Sequence, residues 1–227
     1  MFELGNAETA TWRDWFYGML RSPVGDGRYR AMPVVRESRE EAEARGVQVR
    51  RASVLLTLFP GLEPDGSWDW RAVLMERTPH GGVHGGQVSI PGGEAEAVDA
   101  GVPLATALRE FAEEMGVPVA PSAVVGQLAP LYIAPSAFHV EAFVAVLPHE
   151  PTWQVDPTEV AALLRPRVLD WAHPDALQPR PVQVRPGLRA QLPAYEIDGR
   201  TIWGATAIWL TEFADAWHGA RGSQRMP

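Results

Sequence analysis

The chain has 227 residues, a formal net charge of −8 and no cysteine. A chain of this length suits one domain with a terminal extension. The absence of cysteine excludes disulfides, a thiolate nucleophile and thiolate metal sites, in keeping with a cytoplasmic protein. The acidic balance argues against non-specific nucleic-acid binding. We expect no membrane partner, because the chain shows neither a signal-peptide pattern nor an apolar stretch near the ~20 residues that span a bilayer.

The first 48 residues are interpreted as a helical extension that packs on the domain behind it. Apolar side chains recur at helical spacing in residues 7–20, which predicts an amphipathic helix. These side chains are Trp12, Trp15, Phe16 and Met19. Residues 36–46 carry mixed charges and predict a solvated helix or linker. The expected organisation is an N-terminal extension (1–48), one domain (49–217) and a flexible tail (218–227).

Within the domain, strand patterns lie before and after one strongly helical segment. Strands are predicted at residues 54–59, 70–77, 87–90, 124–131, 140–147, 194–197 and 201–203, with a Gly-rich loop at 80–86. The central helix is expected to begin near Pro103 and to end at Gly116. A short helix is expected to start in 159–164, and a closing helix to cover 205–217. This order predicts a mixed α/β sandwich.

The central helix carries three carboxylates at positions i, i+3 and i+4, which are Glu110, Glu113 and Glu114. This spacing places them on one face, where like charges repel. A hard divalent cation, which prefers oxygen ligands, would offset that repulsion. The Gly92-Gly93 turn before the helix leaves backbone N–H groups free to meet an anion. Metal ions and an anion together indicate phosphate chemistry, although an ordinary solvated helix face has the same spacing.

The segment from Pro91 to Val117 resembles the Nudix box, whose pattern is G-x5-E-x7-R-E-U-x-E-E-x-G-U, where U is bulky and aliphatic. Phe111 stands at an aliphatic position. Asp99 stands where the pattern has its first Glu, and nine residues rather than seven separate it from Arg109. A loop around Gly101 can absorb the two extra residues, but the departure puts a role for Asp99 in doubt.

The Nudix resemblance implies a fold, a cofactor and roles for the box residues. The implied fold is the Nudix-type α/β/α sandwich with a mixed sheet. Glu110, Glu113 and Glu114 would hold Mg²⁺ or Mn²⁺. Arg109 would pair with an acid and orient the helix.

A second, narrower resemblance links residues 73–93 to the motif of the coenzyme A pyrophosphatase branch of that family. The positions in register include Arg77, His84, Gln87, Gly92 and Gly93, whereas Met75, Gly81 and Ile90 depart from the motif. Residues 156–160 and 202–207 are similar to two further segments of the branch. The resemblance implies substrate recognition by Arg77, His84 and Gln87, with Arg77 a candidate for the 3′-phosphate, and close approach of phosphate to Gly92 and Gly93.

These resemblances imply a metal-dependent pyrophosphohydrolase that cleaves coenzyme A or acyl-CoA into 3′,5′-ADP and 4′-phosphopantetheine. Glu110 or Glu159 would accept the proton from water. Alternatives are another nucleoside diphosphate derivative (ADP-ribose, NADH, a dinucleoside polyphosphate or an oxidised dNTP) and a non-catalytic nucleotide-binding module. Glu141 is either a further metal ligand or a solvent-facing strand acid. Tyr132 or Trp203 could stack on an adenine, and the sequence leaves a homodimer open.

Overall fold

The structure is a computed structural model that describes residues 2–21, 37–79, 84–185 and 187–223. Its main sheet has five strands, which are β1 (Arg50–Leu62), β2 (Trp68–Ala72), β5 (Gly92–Glu94), β6 (Val124–Ile133) and β7 (Phe138–Val146). β1 runs parallel to β7 and antiparallel to β2 and β5, and β6 completes the sheet antiparallel to β7. The sheet is therefore mixed.

The structure has two further sheets of three strands each. One contains β3 (Leu74–Arg77) between β4 (Val88–Ser89) and β8 (Val160–Leu164). The other contains β10 (Leu188–Ile197) between β9 (Gln178–Arg185) and β11 (Arg200–Ile202). The single strand predicted for 70–77 is divided at Val73, so that its first half pairs with β1 and its second half enters the β3 sheet.

Five α-helices lie in the described ranges: α1 (Asn6–Arg21), α2 (Arg39–Ala44), α3 (Pro103–Met115), α4 (Val168–Ala172) and α5 (Gly204–Ser223). β1 is buried on both faces. Side chains such as Val54 and Leu56 pack in one cluster with α1 and α5. Leu55 and Phe59 point the other way and pack in a second cluster with α3. The predicted α/β/α sandwich is confirmed. No helix of the described ranges has the length and apolarity needed to cross a membrane.

Two predicted elements differ from the structure. The short helix expected in 159–164 is wrong: residues Val160–Leu164 form strand β8, because they pair with β3. The closing helix does not end at 217. It continues through Ser223 with Ala220 buried in the core, so a flexible tail does not begin at 218. Residues 22–36 of the expected extension, residues 80–83 of the expected loop and residues 224–227 lie outside the described residues.

Candidate active site

The helix α3 has clear start and stop signals. Pro103 occupies its first turn, where a missing N–H is harmless. Gly116 ends it in the left-handed conformation (φ 68°), and a Cβ there would lie 2.3 Å from the carbonyl oxygen of Gln154. Phe111 and Met115 bury one face of the helix against the main sheet, which directs the glutamate-bearing side towards β5 and the loop before β8.

Arg109 and Asp99 anchor the start of α3 to the loop before it. Arg109 donates from Nε to Asp99 Oδ1 at 2.9 Å and from Nη2 to Asp99 Oδ2 at 3.0 Å. Asp99 also accepts from the Glu96 backbone N–H and from Thr106 Oγ1. The Arg109 guanidinium therefore holds the pKa of the buried Asp99 carboxyl well below its usual range.

Asp99 thus has a partner that the sequence pattern left in doubt. The two extra residues of the segment fit into a 3-10 turn, Ala97–Asp99, followed by two residues with positive φ, Ala100 and Gly101. The signal was present in the sequence as an acid at the place of the first Glu of the pattern. Spacing alone could not show that the loop returns the carboxylate to Arg109.

The expected Gly92-Gly93 turn is instead the start of strand β5, which pairs with β1, and it lies directly against two of the glutamates. The Gly92 N–H is not free to meet an anion, because Glu114 accepts from it. Gly92 donates its backbone N–H to Glu114 Oε2 at 2.7 Å. A Cβ on Gly93 would lie 2.2 Å from Glu110 Oε2, and a Cβ on Gly92 would lie 2.2 Å from the Ser53 carbonyl oxygen. Only residues without a side chain permit this approach, so the two glycines are required for the geometry of the acids.

Glu114 is a buried carboxylate with one oxygen that lacks a hydrogen bond. Its side chain is 1% exposed, and Oε1 has no hydrogen-bond donor. Burial raises the pKa of Glu114 to about 8, against the opposing effects of Arg77 and the Gly92 N–H, while the charges of Glu110 and Glu159 add to the rise. Burial also raises the pKa of Glu110, and the neighbouring Arg109 opposes that shift. A buried acid left partly unsatisfied normally has a ligand or a functional role.

Arg77 is engaged with the protein itself. It donates from Nη2 to the Gly92 carbonyl at 2.7 Å and from Nε to Ser89 Oγ at 3.1 Å, and Nη2 lies 3.6 Å from Glu114 Oε1. These contacts direct the guanidinium to Gly92 and to Glu114, whereas the sequence motif predicted contact with a substrate phosphate. The motif could identify Arg77 as important but could not show what it contacts.

The other two branch-motif residues, His84 and Gln87, contact each other. His84 Nδ1 lies 3.1 Å from Gln87 Oε1, and both side chains are partly exposed. The backbone carbonyl of Gln87 accepts from the Arg77 N–H, which ties this pair to the end of β3. Both side chains can therefore contact a ligand that lies beside Gly92 and Gly93.

The predicted acids are near one another but do not converge fully. Glu113 is 60% exposed and pairs with Arg109 Nη1 at 2.9 Å, and the same nitrogen lies 2.9 Å from Glu110 Oε1. Glu159 is exposed in the loop before β8, close enough for its charge to act on both Glu110 and Glu114. Across the described ranges, no three acidic or histidine side chains form a ready metal-binding group.

The donor set nevertheless fits a hard divalent cation. All the candidate ligands are carboxylate or carbonyl oxygens, which Mg²⁺ and Mn²⁺ prefer. Glu114 Oε1 supplies a buried oxygen that accepts no hydrogen bond and has only the Arg77 guanidinium 3.6 Å away. Glu141 has a partner outside this group: it lies in β7 on the main sheet, where it accepts from Gln127 Nε2 at 2.8 Å.

Comparison with known proteins agrees with this arrangement. The NUDIX domain family model matches residues 50–194. Relatives from Yersinia pestis (strain Pestoides F) and Yersinia pseudotuberculosis serotype O:1b (strain IP 31758), both called "Uncharacterized Nudix hydrolase NudL", are each 30% identical over 165 residues, covering 73% of this chain and 78% of theirs. The crystal structure of a NUDIX hydrolase from Alicyclobacillus acidocaldarius shares the fold with a TM-score of 0.51 at 17% identity, covering 80% of this chain and 99% of that one.

The fold and the box define a pyrophosphohydrolase, and this chain belongs to the Nudix hydrolase family. The predicted family and enzyme class are confirmed. Members of the family generally work with divalent metal ions, in agreement with the oxygen-rich donor set at α3.

Proposed function

We propose that the protein is a Mg²⁺- or Mn²⁺-dependent diphosphatase that cleaves coenzyme A or acyl-CoA into 3′,5′-ADP and 4′-phosphopantetheine. The observation that supports the chemistry best is the buried Glu114 carboxylate, which has one oxygen without a hydrogen bond beside the Gly92-Gly93 backbone. The substrate class comes from the coenzyme A branch motif in residues 73–93.

Glu110, Glu113 and Glu114 are the residues that would hold the metal ions. A bound divalent ion neutralises charge on the diphosphate oxygens and lowers the pKa of water for attack on phosphorus. Glu113 and Glu110 both contact Arg109 Nη1, so Arg109 restrains the two side chains in the absence of substrate. Arg109 is in turn fixed by Asp99, which gives the acids a rigid support.

Glu159 is the stronger of the two candidates for the group that accepts a proton from water. Glu110 lies 2.9 Å from Arg109 Nη1 and against Gly93, so its carboxylate is already held in place. Glu159 is exposed, and its charge reaches the same acids from the loop before β8. A carboxylate at the open side of the site can take a proton and release it to solvent.

The Gly92-Gly93 pair has two roles in the proposed reaction. Its backbone supports Glu114 through the Gly92 N–H, and its lack of side chains lets the substrate diphosphate approach closely. Arg77 fixes the Gly92 carbonyl and places a positive charge near Glu114. We therefore assign Arg77 to positioning, and leave His84 and Gln87 as the motif residues that contact substrate.

A substrate panel tests the proposal. Purified protein with Mg²⁺ or Mn²⁺ would be given coenzyme A, ADP-ribose, NADH, diadenosine polyphosphates and dNTPs, with a matched set in EDTA. Chromatography should show 3′,5′-ADP and 4′-phosphopantetheine from coenzyme A, metal dependence, and much slower turnover of the other compounds. Preferred turnover of another compound would retain the Nudix chemistry and reject the substrate. Tight nucleotide binding without turnover would support a non-catalytic module.

A further inference from the structure

A second polar pocket lies beside the glutamates, near the start of α3. Its volume is ≈ 120 Å³, and its lining includes Arg39 from α2, Arg51 from β1, and His139 and Glu141 from β7. Thr106 contributes the α3 side of the pocket. The branch motif and the box acids contribute none of these side chains, so the pocket is not explained by the site described above.

Two of the lining side chains share one face of the main sheet. Arg51 and His139 are register partners in the parallel pair β1–β7, which places their side chains side by side. Within the described ranges the Arg51 guanidinium has no ion-pair or hydrogen-bond partner. His139 Nδ1 is buried and has no hydrogen bond. A free guanidinium next to an unsatisfied imidazole nitrogen is a suitable site for an anionic oxygen.

The other charged side chains of the pocket indicate which class of ligand it could bind. Arg39 also forms an ion pair with Glu43, with 2.8 Å between Arg39 Nε and Glu43 Oε1. Glu141 is the opposing acid, and one of its oxygens already accepts from Gln127. Two arginines and one carboxylate suit a ligand that carries both an anion and a hydroxyl donor. A ribose with a phosphate monoester has this combination.

The pocket adjoins the diphosphate site. Thr106 lies one helical turn before Glu110 on α3, so the two side chains are neighbours on the helix surface. Ser53, which also lines the pocket, pairs in register with Gly93, and Gly93 is packed against the Glu110 carboxylate. A group on the same ribose as the diphosphate can therefore reach the pocket while the diphosphate remains at the glutamates.

We infer that this pocket binds a phosphate monoester on the ribose of the substrate, with Arg51 as the main contact and Arg39 and His139 beside it. Glu141 accepts a hydrogen bond from the adjacent ribose hydroxyl. The identification of this group as the 3′-phosphate of coenzyme A rests on the proposed function. This inference assigns recognition of the 3′-phosphate to Arg51 instead of Arg77, because the Arg77 guanidinium already donates to Ser89 and Gly92.

Coenzyme A and dephospho-coenzyme A differ only in the 3′-phosphate, so their comparison isolates the pocket. We would measure kcat/KM for both with the wild type, Arg51→Gln and the control Arg45→Gln, whose side chain is 63% exposed and pairs with Glu37. Arg51→Gln should lower kcat/KM for coenzyme A about tenfold or more, as for loss of a charged hydrogen bond, and leave dephospho-coenzyme A nearly unchanged. Equal effects on both substrates, or no effect, would overturn the inference while the proposed function stands.

A binding measurement separates the pocket from the catalytic proposal. Calorimetry with 3′,5′-ADP and 5′-AMP needs no turnover. The wild type should bind 3′,5′-ADP more tightly, and Arg51→Gln should remove that preference while Arg45→Gln retains it. This result together with no coenzyme A hydrolysis would keep the pocket and reject the proposed substrate. Equal binding of the two nucleotides by the wild type would reject the pocket.

Discussion

The ion pair between Arg109 and Asp99 provides a quantitative test of how the box helix is held. Asp99→Asn keeps the shape of the side chain and removes its charge. It weakens both Arg109 contacts, at 2.9 and 3.0 Å, in a side chain that is 2% exposed. Removal of one partner of a fully buried pair typically costs 3–5 kcal/mol, but Arg109 is 18% exposed and retains Glu110 and Glu113. Solvent screening and these partners reduce the expected loss to about 2 kcal/mol.

Urea unfolding in EDTA would measure this loss without contributions from metal binding. Arg109 lowers the pKa of Asp99 in the folded state. The ion pair therefore stabilises the fold fully at pH values above the pKa that Asp99 has in the unfolded chain, and this stabilisation is lost as the pH falls through the pKa of Asp99 in the folded protein. The difference in free energy of unfolding between the wild type and Asp99→Asn should therefore be largest at neutral pH and decrease only below about pH 4.

The control is Asp175→Asn, which changes an acid that is 86% exposed. This variant should remain within about 0.5 kcal/mol of the wild type. If Asp99→Asn behaves like the control at neutral pH, or if its deficit persists unchanged in acid, the reasoning about the pair is refuted.

Two further substitutions test the close packing of Gly93 and the role of Arg77. Gly93→Ala places a Cβ 2.2 Å from Glu110 Oε2, so kcat should fall about 100-fold because the acid is misplaced. The control is Gly219→Ala, whose added Cβ would have no atom within 4 Å and should leave kcat unchanged. Equal rates for the two variants would contradict the packing argument. Arg77→Gln removes the cation near Glu114, so the free energy of unfolding in EDTA should fall by about 1–2 kcal/mol. Saturating Mg²⁺ should reduce that deficit, and an identical deficit with and without Mg²⁺ would argue against a counter-charge role.

The features of α3 that could be predicted from the sequence are local ones. Pro103 and Gly116 act within one turn of the helix, and the spacing of Phe111 and Met115 fixes which face is buried. None of these signals depends on distant parts of the chain, which is why the boundaries and the acidic face could be deduced from residue order.

The wrong prediction for β8 has a non-local cause. Its sequence, Val-Ala-Ala-Leu-Leu, contains good helix formers, and the acid before it suits a helix start. Pairing with β3 supplies backbone hydrogen bonds and burial for Leu164. Tertiary pairing overrides propensity here, and one sequence contains no sign of that pairing.

The site shows the same limit. Arg77 stands in register with a recognition motif, but its contacts with Ser89, Gly92 and Glu114 depend on how three separate segments meet. Arg51 lies in an ordinary strand, and its inferred role depends on β7 and α3 lying beside it. A sequence motif can indicate which residues are important, but their contact partners are known only once the fold is known.

The most direct test of the central claim is the rate of 3′,5′-ADP release from coenzyme A with Mn²⁺ by the wild type and by Glu114→Gln, with Asp175→Asn as the control. Glu114 should matter most because its buried carboxylate contacts Gly92 and has one oxygen without a hydrogen bond. We predict a loss in kcat of at least ~100-fold for a folded Glu114→Gln protein, since a lost metal ligand removes several kcal/mol of charge stabilisation. The control should retain its rate. Near-wild-type turnover by Glu114→Gln would contradict the assignment of the glutamates as the catalytic metal site.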